Sequence, residues 1–390
     1  MDLTLQSEIT LYPLSIREDK KHYIVEEPMS GDFFEMPAVC IDAIHLINQG
    51  EPLDKIERQL EAQYPEEEVA LVGFIEQLVE LGLVKEVDGE AVPVAKKRQS
   101  PSGFTWLPAG VGRFFFNPIT TKFYIAIFCI NLLLIIMNPQ LLPAYQDLFL
   151  FDVMTFNMLL YMGISLLLII MHEFGHILAV RSHDLPAALE VGRRLVFVVF
   201  QTDLTCAWQL APEQRNKLYL AGICFEQVIV LIAFVIQLAV GEQTLISGVL
   251  ALVVLDIFIK TIYQCCFYMK TDMYYLCENM TGSYNLMENG KQYLRKWIPF
   301  IKQDSTTETF AGEAKTVRLY ALFYSIGLIL TAGLFLFYFI PQIGYAYAQT
   351  LPELLDPTGN PLFWDAVVFV GQTFLLGGLF LYAWRKPGTS

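Results

Sequence analysis

Two histidines and a glutamate lie together in one short motif near the middle of the chain. His172 and His176 are four residues apart in MHEFGH, and Glu173 follows the first histidine. Residues at i and i+4 share one helix face, so both imidazoles can reach one tetrahedral ion. Glu173 can then stand beside the metal and accept a proton from the attacking water. The motif therefore predicts a catalytic zinc ion with two histidine ligands and Glu173 as general base.

The motif ends an uncharged segment, MLLYMGISLLLII, in a chain that is apolar throughout. Hydrophobic residues make up 54% of the 390 residues and charged residues only 17%, which excludes an ordinary soluble protein of this length. Three ionisable side chains at the end of an apolar segment are costly in a membrane unless they bind something. The composition therefore predicts a membrane protein and supports a metal site.

Six segments are apolar and long enough to cross a lipid bilayer as helices. They cover residues 123–137, 153–180, 217–240, 245–268, 317–340 and 363–384. Basic residues precede the first segment and follow the second, fourth and sixth, whereas the loops after the first, third and fifth contain no Lys or Arg. By the positive-inside rule, both termini lie in the cytosol. We therefore expect a mainly α-helical, multi-pass protein of the cell membrane with about six transmembrane helices.

The third zinc ligand must come from elsewhere in the chain, because a catalytic zinc ion takes three protein ligands and keeps one position open. Asp272, in KTDMYYL, follows the fourth apolar segment and would return to the membrane depth of His176. The expected topology therefore favours Asp272. Four other side chains stay open as alternatives, namely Asp203, Glu226, Asp256 and His183.

The first ninety residues are polar and acidic and form a separate unit. The segments ITLYPLSI, HYIVEEP and DFFEMP are typical of strands, and three helical stretches follow at 37–48, 53–63 and 67–82, with VKEV as a further extended piece. This pattern predicts a small α+β domain in the cytosol. The net charge of −14, concentrated here, argues against nucleic-acid binding.

The chain therefore divides into four parts. We assign residues 1–92 to the N-terminal domain, 93–118 to a linker, 119–290 to a membrane core with the zinc site, and 291–390 to a cytosolic insertion and two C-terminal helices. Residues 185–210 mix β-branched and aromatic residues and predict a short sheet at the membrane face. An amphipathic helix is expected around residues 284–300.

The order of motifs in the core resembles that of the intramembrane site-2 proteases, and more closely their peptide zinc metalloprotease branch. The motifs are HEFGH at the end of a segment, QTDLTCAW, LYLAGICFEQ in the next segment, and KTDMYYL. The resemblance implies a zinc metalloendopeptidase in which Asp272 supplies the third ligand. Two features depart from that family's pattern. Met273 stands where the family usually has Gly, and the Asn and Pro residues that the family usually has before Asp272 and in the segment AGICFE are absent.

Residues 5–90 resemble the PqqD-like, winged-helix domains that bind leader peptides of ribosomally made precursors. In those domains the leader adds a strand to a sheet edge and packs on the third helix. The resemblance implies a leader site at the DFFEMP strand and the third helix. The residues concerned are Phe33, Phe34, Leu71, Ile75 and Leu78.

Together these features predict a leader-guided intramembrane peptidase that requires Zn²⁺ and cleaves a precursor peptide at the cytosolic membrane face. Two alternatives remain open. One is regulatory cleavage of a membrane-anchored protein, and the other is a non-proteolytic module for peptide binding, export or immunity.

Overall fold

The computed structural model describes residues 3–20, 22–28, 31–66, 69–92, 103–194, 197–241, 244–282 and 314–385. Helices dominate, and a small β-rich region occupies the N-terminus. Within the described residues, six helices are long and apolar enough to cross a membrane. This confirms the prediction of a mainly helical, multi-pass membrane protein. The amphipathic helix predicted around residues 284–300 lies outside the described residues.

In the N-terminal domain, two small sheets and three helices pack around one apolar core. Its elements are β1 (Ile9–Leu11), β2 (Ser15–Asp19), β3 (His22–Glu27), β4 (Asp32–Met36), α1 (Ala38–Asn48), α2 (Leu53–Gln63), α3 (Leu71–Glu80), β5 (Val84–Val87) and β6 (Glu90–Ala91). One antiparallel sheet has the order β2-β3-β4 and the other the order β1-β5-β6. In α3, Leu71, Ile75 and Leu78 form one buried face at helical spacing.

The described residues after the N-terminal domain form a bundle of long helices and one hairpin. Its elements are α4 (Ala109–Phe115), α5 (Pro118–Met137), α6 (Met154–Ser182), β7 (Ala188–Arg194), β8 (Phe197–Asp203), α7 (Pro212–Val240), α8 (Leu245–Gln264), α9 (Asp272–Thr281), α10 (Ala314–Leu334), α11 (Ile340–Glu353) and α12 (Pro361–Arg385). A π-helical turn, Phe335–Phe339, joins α10 to α11 as one span. β7 and β8 form the short sheet predicted between the second and third spans.

The long helices expose apolar side chains on their outer faces. Phe123 is 60% exposed, Ile136 69% and Phe337 72%. Water would solvate such a surface poorly, whereas lipid tails match it. Inside the bundle, α6, α7 and α8 enclose a small apolar core that includes Leu168, Phe234 and Val254. The helices therefore turn apolar residues outward as well as inward, as expected for spans.

Part of the predicted linker 93–118 is a packed helix. α4 crosses α6 so closely that a Cβ on Gly112 would lie 2.4 Å from the carbonyl oxygen of Leu178. Next to this crossing, Arg181 Nε donates a 2.9 Å hydrogen bond to the carbonyl oxygen of Leu107. The predicted linker therefore contains a helix that packs on the bundle. Because Gly112 has no side chain, it permits this close helix crossing.

The N-terminal domain is joined to the bundle by a buried ion pair. At the end of β2, the carboxylate of Asp19 accepts a hydrogen bond from the guanidinium of Arg215 in the first turn of α7. The two residues are 3% and 0% exposed, and the Trp208 ring covers the guanidinium at 4.6 Å. The neighbouring Lys20 donates to the carbonyl oxygens of Asn279 and Met280 at the end of α9. The β2–β3 turn therefore contacts both α7 and α9.

Replacing Asp19 by Asn should destabilise the protein by about 3–5 kcal/mol, because the buried Arg215 charge loses its counter-ion. The measurement is denaturant unfolding of the purified chain in detergent. Asp54→Asn is the matched control, since Asp54 and Arg58 form a pair that is 49% and 79% exposed. Exposed pairs of this kind contribute about 0–1 kcal/mol. Equal losses in the two variants would contradict a structural role for the buried pair.

Candidate metal centre

The histidine motif lies at a close crossing of α6 and α7. A Cβ on Gly175 would lie 2.7 Å from the carbonyl oxygen of Ala221 in α7. A Cβ on Gly222 would lie 2.3 Å from Nε2 of His172. Any larger residue at these positions would force the helices apart or displace the imidazole. The two glycines therefore allow α7 to pack directly against the histidine face of α6.

Three side chains from two separate helices converge at this crossing. His172 Nε2 lies 3.0 Å from Asp272 Oδ2 and 3.1 Å from His176 Nε2. The distance from His176 Nε2 to Asp272 Oδ2 is 3.5 Å. Asp272 is the first residue of α9, which reaches the site from outside the spans. Their ligand atoms all lie within 4.8 Å of one another, a spacing that one metal ion can bridge.

The hydrogen bonds around the histidines determine where their protons lie. His176 Nδ1 is 2.8 Å from the carbonyl oxygen of Leu218, which can only accept, so Nδ1 carries the proton. His172 Nδ1 is 3.0 Å from the Glu226 carboxylate, which likewise favours a proton on Nδ1. In the neutral imidazoles, both Nε2 lone pairs then face each other and the Asp272 carboxylate. Such a donor set fits a divalent cation such as Zn²⁺.

Gln264 fixes the third candidate ligand. Its side-chain amide donates to Asp272 Oδ2 at 2.9 Å, and its carbonyl oxygen accepts from the Asp272 backbone N–H at 3.1 Å. Burial raises the pKa of the Asp272 carboxyl, but the positive charge and the hydrogen bonds of His176 and His172 in their protonated form outweigh that effect and hold the pKa well below its usual range. Asp272 is therefore a carboxylate, the form that binds a cation.

The expected general base lies beside this group. Glu173 Oε2 accepts hydrogen bonds from the Thr202 backbone N–H at 2.7 Å and from the Thr202 hydroxyl at 2.8 Å. Both bonds use Oε2 and tie the carboxylate to β8. Glu173, His176 and Asp272 all line one cavity of about 290 Å³, which we call the histidine cavity. Its other walls include Glu190, Thr202, Trp208 and Tyr275.

The four alternative ligands have other partners or lie elsewhere. Glu226 contacts His172 at Nδ1, on the side of the ring away from Asp272. Asp256 forms an ion pair with Lys260 at 2.5 Å, and Asp203 accepts hydrogen bonds from Thr205. His183 follows the end of α6, where burial, Lys217 and Arg113 lower its pKa. Among the described residues, none of the four joins the His172, His176 and Asp272 group.

The predicted leader-binding residues are split between a cavity and the core. Phe33 and Phe34 line a second cavity, of about 470 Å³, between the N-terminal domain and the bundle. The side chains of Leu71, Ile75 and Leu78 are at most 1% exposed, because they form the inner face of α3, and of these three Leu78 also lines the second cavity. Phe74 and Gln77 of α3 line this cavity as well, together with Leu81, the residue after the helix.

No family model, curated protein or solved structure matches this chain. The functional interpretation therefore depends on the residues themselves. Sequence reasoning did not find the roles of Thr202 and Gln264. Thr202 lies inside the motif QTDLTCAW, but its residue type does not reveal that it reaches Glu173 across the site.

We expect purified protein to contain stoichiometric zinc, and His172→Ala, His176→Ala or Asp272→Ala each to lose it. Two remaining ligands do not hold the ion tightly. Asp203→Ala is the control and should retain the metal, since its carboxylate accepts from Thr205. The measurement is elemental analysis of protein purified in detergent. Zinc retained in Asp272→Ala and lost in Asp203→Ala would transfer the ligand role to Asp203.

Glu226→Gln should weaken zinc binding about tenfold to a hundredfold, because a carboxylate behind a ligating imidazole orients the ring and raises its basicity. Competition with a chelator of known affinity measures the change. Asp256→Asn provides the matched control, since Asp256 is also buried inside a span but pairs with Lys260. Equal zinc affinity in Glu226→Gln and the wild type would mean that Glu226 does not support the ligand.

Proposed function

We propose that this chain is an intramembrane zinc metallopeptidase that cleaves a ribosomally made precursor peptide at the cytosolic membrane face. One observation carries the proposal. The ligand atoms of His172, His176 and Asp272 lie within 4.8 Å of one another, and Glu173 lines one cavity together with His176 and Asp272. A purely structural cluster would not need two histidine lone pairs and a carboxylate aimed at one point. Nor would it need a further acidic side chain beside them.

The chain's own residues support each part of the chemistry. Zinc held by the two histidines and Asp272 would supply a Lewis acid that polarises the scissile carbonyl and activates water. Glu173 accepts the proton that the attacking water loses and delivers it to the leaving amine. Thr202 holds Glu173 Oε2 from β8 and so fixes the orientation of the base. Glu226 and Gln264 keep the ligands in place during turnover.

The substrate must reach this site in an extended form, since the carbonyls of a helical peptide are occupied by its own hydrogen bonds. The β7–β8 hairpin borders the histidine cavity and offers strand backbone for such a peptide. We assign the N-terminal domain, with its winged-helix-like order of strands and helices, to capture of the leader. β4 is an edge strand of its sheet, which suits strand addition by the leader.

Glu173→Gln should retain zinc but lower turnover about a hundredfold to ten-thousandfold, because the amide keeps the shape of the side chain and cannot accept a proton. The assay reconstitutes the protein with candidate precursor peptides in nanodiscs and identifies the products by mass spectrometry. A single-span membrane protein serves as the competing substrate, and its preferential cleavage would favour the regulatory alternative. Binding without hydrolysis by wild-type protein that contains zinc would favour a non-proteolytic module.

A further inference from the structure

The second cavity is built by both parts of the chain. The N-terminal domain contributes Phe33 and Phe34 from β4 and Phe74 from α3, and the bundle contributes Trp208 and Tyr275. We call it the interdomain cavity. Its walls are mostly aromatic and aliphatic, with Glu35, Lys270 and Glu278 among the polar groups. A cavity of about 470 Å³ with such walls suits large apolar side chains better than a small polar ligand.

β4 presents its edge to the interdomain cavity. The consecutive residues from Phe33 to Pro37 all line it. Side chains of successive strand residues point to opposite faces, so only an edge can bring consecutive residues to one cavity. β4 pairs with β3 along its other edge, and the described residues show no second strand partner. The cavity therefore offers backbone hydrogen-bonding groups beside its apolar walls.

The interdomain cavity and the histidine cavity share two walls, Trp208 and Tyr275. Tyr275 follows Asp272 by three residues on α9, so it lies about one helical turn from the candidate ligand. Its ring stacks on Tyr219 of α7 with centroids 5.9 Å apart, yet the residue is still 36% exposed. Trp208 is fixed by its contact with Arg215. The two cavities therefore meet at a pair of positioned aromatic side chains.

From this arrangement we infer that one extended peptide occupies both cavities at once. A bulky apolar or aromatic side chain of the peptide fills the interdomain cavity beside β4. The backbone passes over Tyr275, and the scissile bond lies in the histidine cavity. This inference rests on the proposed function and adds a substrate class, namely extended peptides with an apolar anchor at a fixed distance from the cut. The specificity determinant is then shared between two domains.

Peptide binding without cleavage tests the inference. The probes are fluorescein-labelled dodecapeptide sublibraries, each randomised except for one position fixed as Phe or as Ser. Fluorescence anisotropy with the Glu173→Gln protein measures their affinity. Some Phe sublibraries place the aromatic ring where it can enter the interdomain cavity. We expect these to bind at least roughly tenfold more tightly than the matching Ser sublibraries, because burial of an aromatic ring stabilises binding by about that factor. Equal affinity of the Phe and Ser sublibraries would overturn the inference.

Cavity variants locate the binding. Phe33→Ala and Tyr275→Ala, each combined with Glu173→Gln, should reduce the preference for Phe, whereas Tyr145→Ala should not. Tyr145 packs on Tyr345 and lines neither cavity, which makes it the matched control. Because Tyr275→Ala risks disturbing α9, Tyr275→Phe is included and should keep the preference. An unchanged preference in both the Phe33 and Tyr275 alanine variants would exclude the interdomain cavity.

Cys40 gives a readout in the unmutated cavity, since its side chain lines the interdomain cavity. A bound Phe peptide should slow alkylation of Cys40, mapped by mass spectrometry, while alkylation of Cys277 on α9 is unchanged. Unprotected Cys40 at saturating peptide would contradict the inference. Protection of Cys40 without hydrolysis by the wild-type protein would refute the peptidase proposal alone. Equal hydrolysis of Phe and Ser peptides would refute only the inference that one peptide occupies both cavities.

Discussion

The candidate metal centre depends on the close contact of α6 with α7. Because Gly175 and Gly222 carry no side chains, the backbone of α7 comes within reach of both imidazoles. That approach brings the Leu218 carbonyl to His176 and the Glu226 carboxylate to His172. Both rings are thereby oriented with Nε2 toward the same point. Two hydrogen bonds from one helix thus determine the ligand atoms offered by the other.

The third candidate ligand comes from a helix that is not a membrane span, and it needs separate support. Gln264, the last residue of α8, holds the Asp272 carboxylate, while the far end of α9 is tied to the first turn of α7 through Asn279. The β2–β3 turn contacts the same end of α9 through Lys20. The geometry of the site is therefore shared between the spans and the N-terminal domain. Disturbing the contact between the two parts should change the position of Asp272.

Much of this arrangement could be predicted from local patterns. Uninterrupted apolar segments indicated the six spans, and HEFGH indicated two imidazoles on one helix face. Contacts between distant segments could not be predicted in the same way. Leu71, Ile75 and Leu78 show the limit most clearly, because helical spacing identifies an apolar face but does not say whether that face meets the core or a ligand. Gly112 shows the same limit, since a glycine that permits close packing is identical in sequence to one that forms a loop.

The ion pair between Asp19 and Arg215 joins residues 196 positions apart in the chain. During synthesis, the β2–β3 turn is made long before α7, so this contact forms only after the intervening helices have been made. Trp208 and Tyr275 line the interdomain cavity together with β4. This cavity therefore does not exist until the N-terminal domain has packed against the bundle. A half-made chain therefore lacks this cavity. Under the proposed function, the order of synthesis delays substrate capture until the membrane part has been assembled.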